Sequence, residues 1–245
     1  MGKIQDATTT DFKGFQDKLR KKVNGLGSFE EAAQQYATAM YGAFKDSIVL
    51  VRLFATVPYG RLPKQNQVFV DGLASSKGVG KSIHDQTLVL SLLGTSGQER
   101  TWNDRKDSEG HVGIPLVSAA FIDAIPMMSR LLKQLGLGLD WIDSDDTELV
   151  KHTIGSMSGV FFVPDAISEV DHQGRKIIAA QDFVRAYKVK TVFGFGGGYL
   201  GTSTFAVTII FLRDAIKETK ARQFAAGMAF FKAMTGDLVK KQIFR

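Results

Sequence analysis

The segment VKTVFGFGGGYLGTSTFAVTIIFL, residues 189–212, decides the fold class. Two runs rich in β-branched and aromatic residues, 189–195 and 204–212, flank a glycine-rich stretch at 196–201. The runs are typical of strands, and the glycines between them predict an antiparallel hairpin. A hairpin interrupts the regular strand–helix alternation that a parallel doubly wound sheet requires. We therefore predict an α+β domain.

The segments around this hairpin predict a central antiparallel sheet with helices at both termini packed on one face. We expect a single domain over residues 1–245, with N-terminal helices in 1–45, a sheet core in 46–212 that contains a long loop at 94–110, and a C-terminal helix in 213–245. The predicted strands before the hairpin are 48–55, 87–93, 111–116 and 159–163. The predicted helices are 10–23, a second one that starts with a capping box at Ser28 and Glu31, part of 62–74, 118–135 with a break at Pro126, 143–152, 181–187 and 214–241.

Composition excludes several classes of protein. The 245 residues include no cysteine, which rules out disulfides, cysteine-ligated zinc, iron–sulfur clusters and thiol nucleophiles. No apolar run approaches the ~20 residues of a membrane-spanning helix, and residues 1–12 do not resemble a signal peptide, so we expect a cytoplasmic protein without a membrane span. The formal charge of +6 comes from scattered basic residues, and we expect no nucleic-acid partner.

Two partial motifs lack the context that would give them a function. Residues 75–82, SSKGVGKS, nearly match a P-loop, but Ser75 replaces its first glycine and a predicted strand, not a helix, follows. Residues 196–201 fit G-x-G-x-x-G but lead into a β-rich run. The four histidines are too far apart to form a local metal-ligand pair. The sequence therefore predicts no metal site and no nucleotide hydrolysis.

The region 94–116 concentrates side chains that could recognise a ligand. It contains Glu99, Trp102, Asn103, Arg105 and His111 between two predicted strands. A tryptophan beside an arginine and an amide could stack on a planar or anionic ligand and hydrogen-bond to it. Alternatively, Trp102 closes the end of the core and Arg105 pairs with Glu99 or Asp104 to hold the loop. Both interpretations stay open at this point.

A series of short motifs resembles an N-terminal, GAF-like input region of bacterial sensor histidine kinases. The resemblance covers about 87–224, with Arg100 where a proline is expected and a divergent polar insertion at 168–176. The motifs, in order, are Leu92-Leu93-Gly94-Thr95, Glu99, Trp102-Asn103-Asp104-Arg105, Gly110-His111, Ile114-Pro115-Leu116, Pro126-Met127-Met128, Gln134-Leu135-Gly136, Phe161-Phe162-Val163-Pro164-Asp165-Ala166, Ala180-Gln181-Asp182-Phe183-Val184, Val192-Phe193-Gly194-Phe195-Gly196-Gly197 and Phe205-Ala206-Val207.

This resemblance implies a GAF/PAS-like sensory or regulatory domain, without catalytic activity, that binds a small molecule between the sheet and the Trp102 loop. It adds Phe162 and Phe195 to the expected ligand-binding residues. The ligand is unknown; haem bound through His111 is one option, whereas a thioether-linked bilin is excluded because there is no cysteine. We expect a bacterial homodimer that signals through its terminal helices, or to a separate partner.

Two other functions remain open from the sequence. Eighteen phenylalanines could fill the expected cavity and leave a protein-interaction module without a ligand. An enzyme could use His111 with Glu99 or Asp104 as an acid–base pair.

Overall fold

One antiparallel sheet organises the residues that this computed structural model describes, 2–108 and 110–245. Its strands are β1 (Ile48–Pro58), β2 (Leu88–Gly97), β3 (Gly113–Pro115), β4 (Ser158–Val163), β5 (Thr191–Gly198) and β6 (Phe205–Leu212). They lie in the order β3-β2-β1-β6-β5-β4, and every neighbouring pair is antiparallel. The α+β prediction with a central antiparallel sheet is therefore confirmed.

Helices cover both faces of this sheet. They are α1 (Thr9–Val23), α2 (Phe29–Ala43), α3 (Lys64–Ser76), α4 (Ala119–Asp123), α5 (Pro126–Gln134), α6 (Thr147–Ser156), α7 (Gln181–Ala186) and α8 (Glu218–Lys241). Pro126 separates α4 from α5, as predicted, because proline lacks the N–H that a continuous helix needs. None of the helices in the described residues is long and apolar enough to cross a membrane.

The hairpin 189–212 forms as predicted, but three of the four glycines in 196–201 have a different role. Gly196, Gly197 and Gly198 lie inside β5 and pair with β6, and the connection is the segment 199–204. A Cβ on Gly198 would lie only 1.7 Å from the carbonyl oxygen of Ile154 in α6. Gly198 therefore allows α6 to approach the strand, whereas Gly201, with φ 72°, lies in the connection itself.

The helices from both chain ends pack on the same face of the sheet, as predicted. Here α1, α2 and α8 bury a core dominated by aromatic side chains. Phe12 of α1 meets Phe224 of α8 edge-on, with ring centroids 4.3 Å apart, and Tyr36 of α2 lies 4.9 Å from Phe231. Edge-on and tilted contacts of this kind stabilise a core beyond the burial of apolar area alone.

The apolar stripes of the terminal helices are used within the chain. Phe15 and Leu19 of α1, and Phe224, Met228 and Phe231 of α8, are all buried in this core. A homodimer in which these stripes paired between two copies of the chain does not fit this packing, because the stripes would have to leave the core to do so. The homodimer itself stays a prediction.

Shorter helices and irregular chain cover the opposite face. The second core contains side chains of α4 to α7 and the strand residues that project from this face of the sheet. The predicted loop 94–110 is shorter than expected, because β2 continues to Gly97 and two short 3-10 helices, Arg100–Trp102 and Arg105–Asp107, follow it. Glu109 lies outside the described residues. This face is therefore covered by short helices and turns with local hydrogen bonds, whereas α1, α2 and α8 cover the other face.

A glycine at the contact between β2 and α2 provides a test of the packing. A Cβ on Gly94 would lie 2.3 Å from the backbone oxygen of Ala33. We expect Gly94→Ala to lower the free energy of unfolding by ~1–3 kcal/mol, as overpacking does in a close-packed core. Urea denaturation measures the change.

The matched control is Gly42→Ala, on the exposed side of α2, where the added Cβ has nothing within 4 Å. We expect this change to raise stability by roughly 0.5–1 kcal/mol, because alanine is the better helix former. Equal stabilities for the two variants would show that β2 and α2 are not in close contact.

Candidate functional site

A cavity of about 220 Å³ lies between the sheet and the chain that covers its second face. Side chains from β1, β2 and β6 form its floor, and α5, residues 177–180, α7 and the loop after β2 form its walls. Arg52, Trp102 and His111 are the polar or charged side chains in an otherwise aliphatic and aromatic lining. An apolar cavity of ~150 Å³ holds benzene, so this one has room for a one- or two-ring molecule.

Trp102 enters this cavity because the loop around it is fixed by hydrogen bonds. The side-chain oxygen of Asn103 accepts from the Ser96 hydroxyl at 2.9 Å and from the Gly97 N–H at 3.0 Å, and its amide donates to the Glu99 carbonyl at 3.0 Å. The loop is thereby folded back on the end of β2. Asn103 holds the loop and does not line the cavity.

The indole of Trp102 completes an aromatic wall. Its ring centroid lies 4.7 Å from that of Tyr187 and 5.6 Å from that of Phe183 in α7, and Phe183 in turn contacts Phe211 of β6. Trp102, Phe183 and Phe211 all line the cavity. A flat ring that entered would therefore meet aromatic faces and edges.

Arg105 points away from the cavity, towards α2. Its guanidinium forms an ion pair with Glu30 and donates to the side-chain oxygen of Asn66 at 3.3 Å, and it stacks over Phe244 at 5.1 Å. The loop-holding alternative is therefore correct in kind but wrong in partner, since neither Glu99 nor Asp104 pairs with Arg105. The partner lies 75 positions away in the chain, which local spacing could not indicate.

The seven predicted ligand-binding residues therefore separate into two groups. Trp102 and His111 line the cavity. The other five do not: Asn103 and Arg105 make the contacts above, Phe162 and Phe195 lie in the core of the opposite face, and Glu99 faces the Tyr187 hydroxyl. Phe162 and Phe195 were misplaced because alternation along a strand sends neighbouring side chains to opposite faces.

Arg52 is the cavity residue that the sequence analysis missed. It lies between Leu50 and Phe54 in β1, and its Nη1 and Nη2 donate to the Gly110 carbonyl at 3.0 Å and the Ser108 hydroxyl at 3.2 Å. Burial lowers the pKa of Arg52 to about 10. The available signal was a single charge inside the run IVLVRLFATV, where the other side chains are uncharged.

His111 lies on the same side of the cavity as Arg52. It follows Gly110 directly and adopts a left-handed backbone conformation, with φ 55°. Part of the His111 residue is exposed to solvent, but the imidazole is surrounded by protein atoms that remove hydrating water. This desolvation, together with repulsion from the charge of Arg52, lowers the pKa of His111. Within the described residues His111 forms no hydrogen bond with Glu99 or Asp104, so the acid–base pair considered above is not assembled.

The cavity is too small for haem, and the described residues assemble no metal site. No group of three His, Asp or Glu side chains in the described ranges is placed to bind a metal ion. A tetrapyrrole is several times larger than benzene, and the volume of about 220 Å³ falls short of what it needs. The cavity fits a smaller organic molecule better.

A second depression lies at the other end of this face. It measures about 560 Å³, and its lining mixes Trp141 and Val150 with His84, Asp143 and several hydroxyl groups. None of the predicted site residues contributes to it. The apolar cavity under Trp102 is therefore the candidate site.

Comparisons with known proteins leave the function to be argued from this geometry. No protein-family model and no curated protein matches the sequence. The chain is similar to the crystal structure of the GAF domain from Acinetobacter phosphoenolpyruvate-protein phosphotransferase, with a TM-score of 0.42 and 8% sequence identity over 96% of this chain and 99% of that chain. A likeness of this strength carries no argument about ligand or activity.

The lowered pKa of His111 predicts a pH dependence. Because the folded state holds the proton less tightly than the unfolded state, whose histidine pKa is ~6.5, this residue reduces stability as pH falls below that value. We expect NMR titration to give a His111 pKa below ~6.5 and a higher value in Arg52→Met, where the repulsion is lost.

The control is His111→Asn, which tolerates the left-handed backbone and does not titrate. We expect its stability to depend less on pH between about pH 5 and pH 7 than that of the wild type. A His111 pKa at or above ~6.5 in the wild type would contradict the position of its ring against Arg52.

Proposed function

We propose that this chain is a non-catalytic sensory or regulatory domain that binds a small molecule in the cavity under Trp102 and signals through its terminal helices. The observation that supports this proposal is that one loop contacts both the cavity and the start of α2. Trp102 lines the cavity, and Arg105, three residues later, pairs with Glu30 at the start of α2. A change in the position of the loop would therefore act on the start of α2.

Glu30 connects the loop to the segment after α8. The N–H groups of Phe29 and Glu30 donate to the carbonyls of Gln242 and Ile243 at 2.9 and 2.8 Å, and the side chain of Glu30 also accepts from the Arg245 N–H at 3.0 Å. These contacts attach the C-terminal segment to the start of α2. The Arg105–Glu30 pair is largely buried, with side-chain exposures of 8% and 13%, so its rearrangement would have a substantial energetic effect.

The alternative of an interaction module with a self-filled core predicts that no ligand enters. Most of the aromatic contacts in the described residues belong to the terminal-helix core, which is filled, whereas the cavity on the other face has its own volume. This difference between the two faces favours ligand binding. We propose that the signal passes either to a separate partner or to a second copy of this chain.

Binding can be tested with a neutral two-ring probe, 2-naphthylmethanol. Met127 lines the cavity from the first turn of α5, so Met127→Trp should fill it. We expect the probe to raise the free energy of unfolding of the wild type by about 2.7 kcal/mol at a hundred times its Kd, and to have no effect on Met127→Trp. Thermal and urea unfolding with and without the probe measure this.

The matched control is Leu149→Trp, on the exposed side of α6, where Leu149 is 49% exposed and away from the cavity. It should respond to the probe like the wild type. A wild type that bound neither this probe nor its carboxylate analogue would favour the self-filled interaction module.

Signalling can be tested by removing the Arg105–Glu30 pair. Hydrogen exchange should show that the probe changes protection at residues 28–31 and 242–245 of the wild type. In the double variant Glu30→Gln, Arg105→Met, which leaves no unpaired charge, that distant change should disappear while the probe still binds. Arg222→Met, which breaks an exposed pair with Glu218 on α8, is the control and should keep the distant response. If the double variant kept the distant change in protection, the signal would not pass through the Arg105–Glu30 pair.

A further inference from the structure

Arg52 has more hydrogen-bond donors than its protein neighbours accept. A guanidinium carries five N–H donors, and Arg52 uses two of them, on Gly110 and Ser108. Its Nε is buried and has no acceptor among the described residues. No carboxylate in those same ranges forms an ion pair with it. A cationic group with neutral acceptors only, beside an apolar cavity, retains much of its desolvation cost.

A second orphaned polar group lies beside Arg52 in the sheet. Thr95 of β2 is the cross-strand partner of Arg52, so the two side chains project from the same face. The hydroxyl of Thr95 is buried and has no hydrogen-bond partner among the described residues. Two neighbouring strands therefore present unsatisfied polar groups on the same face of the sheet, Arg52 in the lining of the cavity and Thr95 beside that lining.

We propose that the ligand of this cavity is a flat, mainly apolar molecule that carries one carboxylate, which binds to the guanidinium of Arg52. This inference rests on the proposed function, since it concerns the same cavity. The carboxylate accepts hydrogen bonds from the guanidinium N–H groups that Gly110 and Ser108 leave free, and the apolar body of the ligand lies against Trp102, Phe183 and Phe211.

The charge and the volume together select this chemical class. One guanidinium neutralises one negative charge, so a phosphate dianion would keep an uncompensated charge in an apolar chamber. His111 adds no second cation at neutral pH, because its neighbours favour the neutral ring. The volume of about 220 Å³ admits one or two fused rings with a carboxylate but not a nucleotide.

The test compares two probes of nearly equal shape, 2-naphthoate and 2-naphthylmethanol, on the full chain at pH 7.5. Isothermal titration calorimetry gives both Kd values, and quenching of Trp102 fluorescence in a Trp141→Phe background reports that the probe is in the cavity. We expect the wild type to bind the carboxylate at least about tenfold more tightly than the alcohol. Arg52→Met should reduce that preference to about twofold or less, and Arg52→Lys should keep part of it.

Arg213→Met is the matched control, because Arg213 also has a buried Nε without an acceptor among the described residues but lies outside the cavity. It should keep the full preference for the carboxylate. If Arg52→Met does not fold, as judged by circular dichroism, the wild-type ratio and Arg52→Lys still decide the question.

The outcomes separate this inference from the proposed function. If the wild type binds both probes equally, or prefers the alcohol, the carboxylate assignment is wrong while binding in the cavity stands. If the wild type binds neither probe, the proposed function fails as well.

Discussion

Every other feature of the structure depends on the requirement that both faces of one antiparallel sheet be covered. Strands β1, β2, β5 and β6 are buried almost throughout, so neither face can remain in water. The two faces meet this requirement differently. Long amphipathic helices from both chain ends cover one face with interlocking aromatic rings, and short helices and turns cover the other. Regular helices pack closely, whereas irregular chain leaves a gap, and the cavity lies on the irregular side.

Much of the fold was predictable because its signals are local. The hairpin 189–212, the break at Pro126 and the helices at both termini follow from periodicity and from proline and glycine chemistry. The glycines at 196–198 were misread, since a run of glycine indicates a turn unless a neighbouring element is known to approach. The neighbours that a Cβ would meet, such as the Ile154 carbonyl at Gly198 and the Ala206 carbonyl at Gly196, show that close packing and not turn formation requires these glycines.

The site was less predictable than the fold because its contacts are distant in sequence. Trp102 and Arg105 occupy two separate short helical turns, so their spacing of three does not place them on one side. Arg105 meets Glu30, and Arg52 meets Ser108 and Gly110, across gaps that no local pattern describes. The one usable signal for Arg52 was that it is the only charged residue in an apolar strand. A charge in such a position needs either a partner or a functional role.

The position of Trp102 determines what kind of signal this fold could send. A ligand shifts a conformational equilibrium only by the difference between its affinities for the two states. A molecule that filled the cavity without displacing Trp102 would stabilise the domain, but it would leave the Arg105–Glu30 pair where it is. Signalling therefore requires two positions of the segment 99–107, and its hydrogen bonds through Asn103 make a move of the whole segment more economical than a local one. The same rigidity would transmit a displacement at Trp102 to Arg105 and so to the start of α2 and the C-terminal segment.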